Sequence, residues 1–114
     1  TGSTAYALSA GGPIIPPHVK CMLIAPICAH SLYARPVVLS GTDSAIVIPK
    51  DDMRSLMLTQ DGQLGYELLP DDRLEVMLDT DAHITTIQLA NRSYYDLLRE
   101  KLLWGFNGIR DAGE

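Results

Sequence analysis

The sequence predicts a mainly β fold with a few helices: an antiparallel, sandwich-like domain with a short helix at its N-terminus and a longer one at its C-terminus. Three observations carry this expectation. Short apolar or β-branched runs follow one another between residues 21 and 89, too closely spaced for crossover helices, which favours hairpins and meanders over βαβ units. Turn chemistry punctuates the runs, with Gly41-Thr42-Asp43, Asp61-Gly62 and Pro70-Asp71-Asp72 between them. Clear helix signals fall at the two ends.

The first of these signals is Thr1-Gly2-Ser3-Thr4-Ala5-Tyr6-Ala7-Leu8-Ser9-Ala10-Gly11-Gly12. Ser3 can accept from amides of the next turn and is the expected N-cap, while Gly11 can take the left-handed conformation that closes a helix. About two turns are therefore expected from Thr4 to Ala10. Small side chains and the hydroxyls of Thr1, Ser3 and Thr4 around the opening amides form the local chemistry of a polar or anionic ligand site. An ordinary capped helix accounts for the same letters.

The connector Pro13-Ile14-Ile15-Pro16-Pro17-His18 cannot be regular, because Pro16 and Pro17 remove amide donors. Cys21 to Ile27 has the length of a buried strand ending near Pro26. His30 to Pro36 reads as irregular, and Val37 to Leu39 resumes a β-branched run. Ser44 to Pro49 and Met53 to Gln60 follow, the latter apolar on both faces and so expected to be covered on both sides. Asp61-Gly62 suits a type I′ turn into a strand from Gln63 to Leu69. Arg73 to Leu78 alternates as a half-exposed strand, and His83 to Leu89 gives the last one. Asp79-Thr80-Asp81-Ala82-His83 could suggest metal ligands but reads as a solvated turn, so no metal site is assigned to this chain. Ser93 with Asp96 forms a capping-box pattern, Tyr94, Tyr95, Leu97, Leu98, Leu102 and Leu103 make an apolar stripe, and Gly105 after Trp104 is placed to end the helix.

With 114 residues, 46% hydrophobic and 20% charged, the chain fits one globular domain. Its net charge of −5 offers no basic field for a phosphate backbone, so nucleic acid is excluded as a partner. No apolar run is long enough to cross a bilayer, and the first residues lack signal-peptide zones, so a cytoplasmic protein without a membrane partner is expected. Cys21 and Cys28 are too few and too loosely spaced for a disulfide framework or a zinc site, and are expected to be buried thiols.

The first block, T-G-S-T-A-Y-A-L-S-A-G-G-P, followed by P-I-C-A-H-S-L-Y-A-R-P at 26–36, resembles the NAD kinase family. Asp61-Gly62-Gln63 sits where that family carries a D-G-Q-like segment, and Tyr95, Leu98, Lys101, Leu102 and Trp104 are similar to its closing helix. The resemblance implies a kinase that phosphorylates the adenosine ribose 2′-hydroxyl of NAD to give NADP, with ATP or polyphosphate as donor and a divalent metal such as Mg. It implies substrate-binding roles for Thr1, Gly2, Ser3, Thr4, Ala5, Tyr6, Ser9, Cys28, His30 and Gln63. Taken from the residues alone, His30 is as well explained by a structural hydrogen bond, Gln63 by its turn, and Arg35 by pairing with a carboxylate instead of a phosphate.

In that family a Gly-Gly-Asp-Gly segment with the catalytic aspartate and an Asn-Glu pair come before this motif, and neither is in this sequence. No catalytic residue is therefore assigned here. The 114 residues are expected to be a single domain, the C-terminal part of a two-domain kinase, inactive without the missing N-terminal domain. A homo-oligomer is expected by analogy. The alternatives are a non-catalytic nucleotide-binding or oligomerisation module and a lipid-kinase-like relative.

Overall fold

The computed structural model describes residues 2–50, 55–87 and 91–103. It contains two compact units, Thr1–Ala82 and His83–Glu114. In the first, a single 3₁₀ turn, Gly2–Thr4, leads into the helix α1, Tyr6–Ser9. Six strands follow among the described residues: β1 Cys21–Ile24, β2 Val37–Ser40, β3 Ser44–Val47, β4 Leu56–Gln60, β5 Leu64–Leu68 and β6 Leu74–Met77. The second unit holds the helix α2, Tyr94–Lys101. The architecture is mainly β and antiparallel, with a short N-terminal helix and a C-terminal one.

The strands pair in three antiparallel ribbons, β1 with β2, β3 with β6, and β4 with β5. Cys21 is registered with Ser40 and Ile24 with Val37; Ser44 pairs with Met77 and Val47 with Leu74. The β4–β5 hairpin is thus inserted between the two strands of the β3–β6 ribbon. One face of β1–β2 (Met22, Ile24, Leu39) and one face of β3–β6 (Ala45, Val47, Val76) line a shared apolar cavity of about 460 Å³. Period-2 alternation puts Met22, Ile24 and Leu39 on one face of β1–β2 and Ala45, Val47 and Val76 on one face of β3–β6, and Leu23 from the other face of β1 also reaches the cavity.

Turn residues act as their chemistry requires. Asp61 and Gly62 have φ of 51° and 69°, the double left-handed pair of a type I′ turn, and the Gln63 amide donates to Gln60 O at 3.0 Å. Gln60 is registered with Leu64, so Gln63 is an extra residue between turn and ladder, bulge-like. The Asp43 and Asp72 carboxylates accept from the amides of Ser40 and Leu69 at 2.9 and 2.7 Å, tying off the turns before β3 and β6. Gly41 has backbone in place of side-chain room: a Cβ there would lie 3.0 Å from Lys20 O.

Several expectations are corrected. Ser3 is not an N-cap: α1 begins after Ala5, which makes no side-chain cap bond, and the Ser3 hydroxyl is engaged elsewhere. β1 stops at Ile24, short of Ile27, because Pro26 cannot continue the ladder. Cys21 is half-buried and Cys28 is exposed, so neither is a buried thiol; Cys28 lies beyond the strand, at φ 51°. Residues 83–87 form no strand, since no strand among the described residues supplies a ladder to them and Ile84 and Ile87 stay exposed. Met57, 63% exposed, faces away from the covered side of β4, so that strand is sheltered on one face only. Its expected start, Met53 and Arg54, lies outside the described residues, as do Leu89, Trp104 and the helix-ending role of Gly105. α2 already stops at Lys101, with Leu103 left-handed at φ 55°.

α2 opens with the expected capping box. The Asp96 amide donates to Ser93 Oγ at 3.1 Å, and the Ser93 hydroxyl and amide donate to Asp96 Oδ2 at 2.7 and 3.3 Å. Leu98 is its buried residue, Tyr94 meets Tyr95 edge-on at 5.5 Å, and Arg92 pairs with Glu100 at 2.7 Å.

Candidate functional site

The candidate site grows out of how α1 ends. The Gly11 amide donates to Leu8 O at 3.0 Å and the Gly12 amide to Ala7 O at 2.8 Å, while Gly11 sits at φ 82°. These are the paired bonds and left-handed residue of a Schellman motif. Gly12 is buried against the helix it closes, where a Cβ would stand 2.7 Å from Ala7 O and 3.2 Å from Leu23 Cδ2. The motif reverses the chain, and the proline connector then runs back past the first turn.

Ser3 joins the two. Its hydroxyl donates to Ile15 O at 3.1 Å and its Oγ accepts from the Ile15 amide at 3.1 Å. Between the first turn, the connector and β1 lies a cavity of about 430 Å³, lined by Gly2, Ser3, Ile15, Pro16, Cys21 and Leu23 among others. That volume is in the range of small-molecule pockets. It brings together main chain, a hydroxyl, a thiol and aliphatic surface. The cavity between the ribbons is lined by residues with apolar side chains and little polar surface, and so offers few groups to orient a polar ligand.

Of the residues expected to bind substrate, Gly2 and Ser3 line the cavity. Thr4, Ala5, Tyr6 and Ser9 lie exposed on the same short segment, Tyr6 at 69% exposure, and so are open to solvent. Cys28 and His30 are exposed in the loop between β1 and β2, and Gln63 is exposed at the β4–β5 turn; none of the three lines the cavity. Thr1 lies outside the described residues. Arg35 turns its guanidinium back on its own loop, donating to Leu32 O at 3.0 Å and Ala34 O at 2.8 Å. Sequence reasoning missed Ile15, Pro16, Cys21 and Leu23 as cavity walls; the proline connector that carries the chain back was the available signal.

No three His, Cys, Asp or Glu among the described residues gather into a group that could hold a metal ion. The Asp79 carboxylate is taken up by its own turn, accepting from the amides of Asp81 and Ala82 at 2.9 and 3.2 Å. Among the described residues no helix is long and apolar enough to cross a membrane.

The family model described as ATP-NAD kinase C-terminal domain matches residues 1–88. The NAD kinase of Carboxydothermus hydrogenoformans is 45% identical over 102 residues, covering 90% of this chain and 36% of that protein. That of Geotalea daltonii is 42% identical over 106 residues, covering 92% and 37%, and NAD kinase 2 of Gloeobacter violaceus is 44% identical over 109 residues, covering 96% and 35%. The chain thus spans little more than a third of the length of these curated relatives. With a family model matched across most of its length, the chain belongs to the ATP-NAD kinase C-terminal domain family.

Proposed function

We propose that this chain is the dinucleotide-binding part of an NAD kinase, which transfers a phosphoryl group from ATP or polyphosphate to the adenosine ribose 2′-hydroxyl of NAD and releases NADP. The observation that carries the reading is the family match across residues 1–88, which includes the T-G-S-T-A-Y block. The open position of that block supports it, since Gly2, Thr4, Ala5 and Tyr6 are exposed and a dissolved ligand can reach them.

In this reading the residues from Thr1 to Tyr6, with Ser9, hold the dinucleotide through main-chain groups, hydroxyls and the Tyr6 ring. Cys28, His30 and Gln63 approach it from their loops. Phosphoryl transfer needs a cradle for the donor, metal ions and a group that takes the proton of the attacking hydroxyl. The proton goes to a carboxylate in a Gly-Gly-Asp-Gly segment, which the 114 residues do not contain. That segment belongs to a preceding domain, and the divalent metal comes with the phosphoryl donor. The working protein is a cytoplasmic homo-oligomer with no nucleic-acid or membrane partner.

The test has two arms. Calorimetric titration of the 114-residue chain with NAD is expected to give a saturable heat. Incubation with NAD, ATP and magnesium is expected to give no NADP, whereas a protein extended upstream through the Gly-Gly-Asp-Gly segment turns over. Absence of heat with NAD overturns the binding role. Robust NADP formation by the 114 residues overturns the need for the upstream carboxylate.

A further inference from the structure

We propose that Ser3 acts as a positioning residue: its hydroxyl clamps the first turn to the main chain of Ile15 and thereby sets the shape of the nucleotide pocket, without itself contacting phosphate. The proposal rests on the dinucleotide-binding reading above and assigns one residue of that site a different task from its neighbours.

The chemistry of a hydroxyl makes the distinction. It has one hydrogen to donate and two lone pairs to accept with. At Ser3 the hydrogen is given to Ile15 O and one lone pair takes the Ile15 amide, both at 3.1 Å. What remains is a single acceptor site, and an acceptor repels the oxygens of a phosphate. A reciprocal pair of bonds to one residue also does structural work that a single bond would not. It satisfies both main-chain groups of Ile15, a residue inside a proline-rich connector that has no strand or helix to serve them. The clamp spans 12 residues and closes the loop that contains α1 and the Gly11-Gly12 reversal. Ser3 and Ile15 both line the 430 Å³ cavity, so the bond pair ties the first turn to the connector along the cavity's wall.

The test uses the 114-residue chain with the wild-type, Ser3→Ala and Ser3→Thr sequences. Three readouts are taken: thermal unfolding, hydrogen exchange at the Ile15 amide without ligand, and calorimetric affinity for NAD. Ser3→Ala is expected to remain folded, to speed exchange at Ile15, and to weaken NAD binding by about tenfold, as a fall of the preformed pocket to about a tenth of the population implies. Ser3→Thr, which keeps the hydroxyl, is expected to restore both protection and affinity. Unchanged Ile15 exchange in Ser3→Ala overturns the clamp. Faster exchange with unchanged affinity overturns the positioning role, as does a Thr variant that protects Ile15 yet fails to bind. The exchange arm is read without NAD, so a wild-type chain that gives no heat condemns the dinucleotide reading while the clamp is still judged on its own.

Discussion

At the scale of single residues, the end of α1 shows how far letters alone determine geometry. Gly11 occupies a left-handed backbone conformation at φ 82° with nothing within 4 Å of a notional Cβ, so Gly11→Ala meets conformational strain and no clash. A loss of about 1 to 2 kcal/mol is expected. Gly12 is the opposite case, with an ordinary φ but a Cβ position 2.7 Å from Ala7 O, a backbone atom that cannot swing aside. Gly12→Ala is therefore expected to cost more, roughly 1 to 3 kcal/mol, and to open the reversal that brings Ile15 to Ser3. Thermal or urea unfolding of the two variants ranks them, and an equal or inverted order would mean that the helix end relaxes freely. The closing glycines were legible because their requirement is local. Ser3 was not: its letter fits an N-cap, but its partner is 12 residues away, and a bond across a loop leaves no mark in a short window. Cys28 likewise gave no sign of its φ of 51°, since only its position past Pro26 removes it from the strand.

At the scale of elements, α2 offers a titratable prediction. The Asp96 carboxyl is held below the ordinary Asp value chiefly by the Ser93 hydroxyl, then by the Ser93 amide, with Arg99 and Arg92 adding to it. A carboxyl whose folded pKa is depressed stabilises the folded form above its unfolded pKa, and that contribution fades as pH falls through the folded value. Helix content of the His83–Glu114 unit is therefore expected to hold at neutral pH and to decline on acidification below about pH 4. Ser93→Ala removes the cap at every pH and is expected to cost about 1 kcal/mol, while flattening that acid-side decline, because the main source of the depressed pKa is gone. Circular dichroism across pH on both sequences checks this; parallel decline in wild type and variant would show that Asp96 is not the group titrating. The capping box was readable because its partners are three residues apart. So was the Asp61-Gly62 turn, whose residues must both accept positive φ. The strand expected over His83 to Leu89 was not realised through 87, since alternation of side chains describes a candidate and only a neighbouring strand makes it one. The site divided along the same line: sequence resemblance marked the segment, whereas the connector and β1 walls facing it depend on a chain reversal that periodicity does not encode.

At the scale of the whole molecule, the pairing pattern carries a consequence for behaviour in solution. Each of the six strands has one ladder partner among the described residues, so each of the three ribbons presents main-chain groups along its outer edges. Two-stranded ribbons are marginal by themselves and gain from further strands or a covering layer. The faces tell the same story: Ile46 and Met77, on one side of the β3–β6 ribbon, are 49% and 62% exposed, and on α2 Tyr95 is 56% exposed. Unpaired edges beside apolar faces favour association, either with other parts of a longer protein or with further copies. The 114-residue chain on its own is therefore expected to gain mass with concentration in light scattering or sedimentation. Ile46→Lys with Met77→Lys adds charge to one exposed face without entering the cavity between the ribbons, whose β3–β6 wall is Ala45, Val47 and Val76. The double variant is expected to lower the mass at each concentration while leaving the far-ultraviolet spectrum unchanged. A wild-type chain that stays monomeric at all concentrations would show that these edges and faces are protected, and would remove the apolar surface as a reason to expect a covering partner.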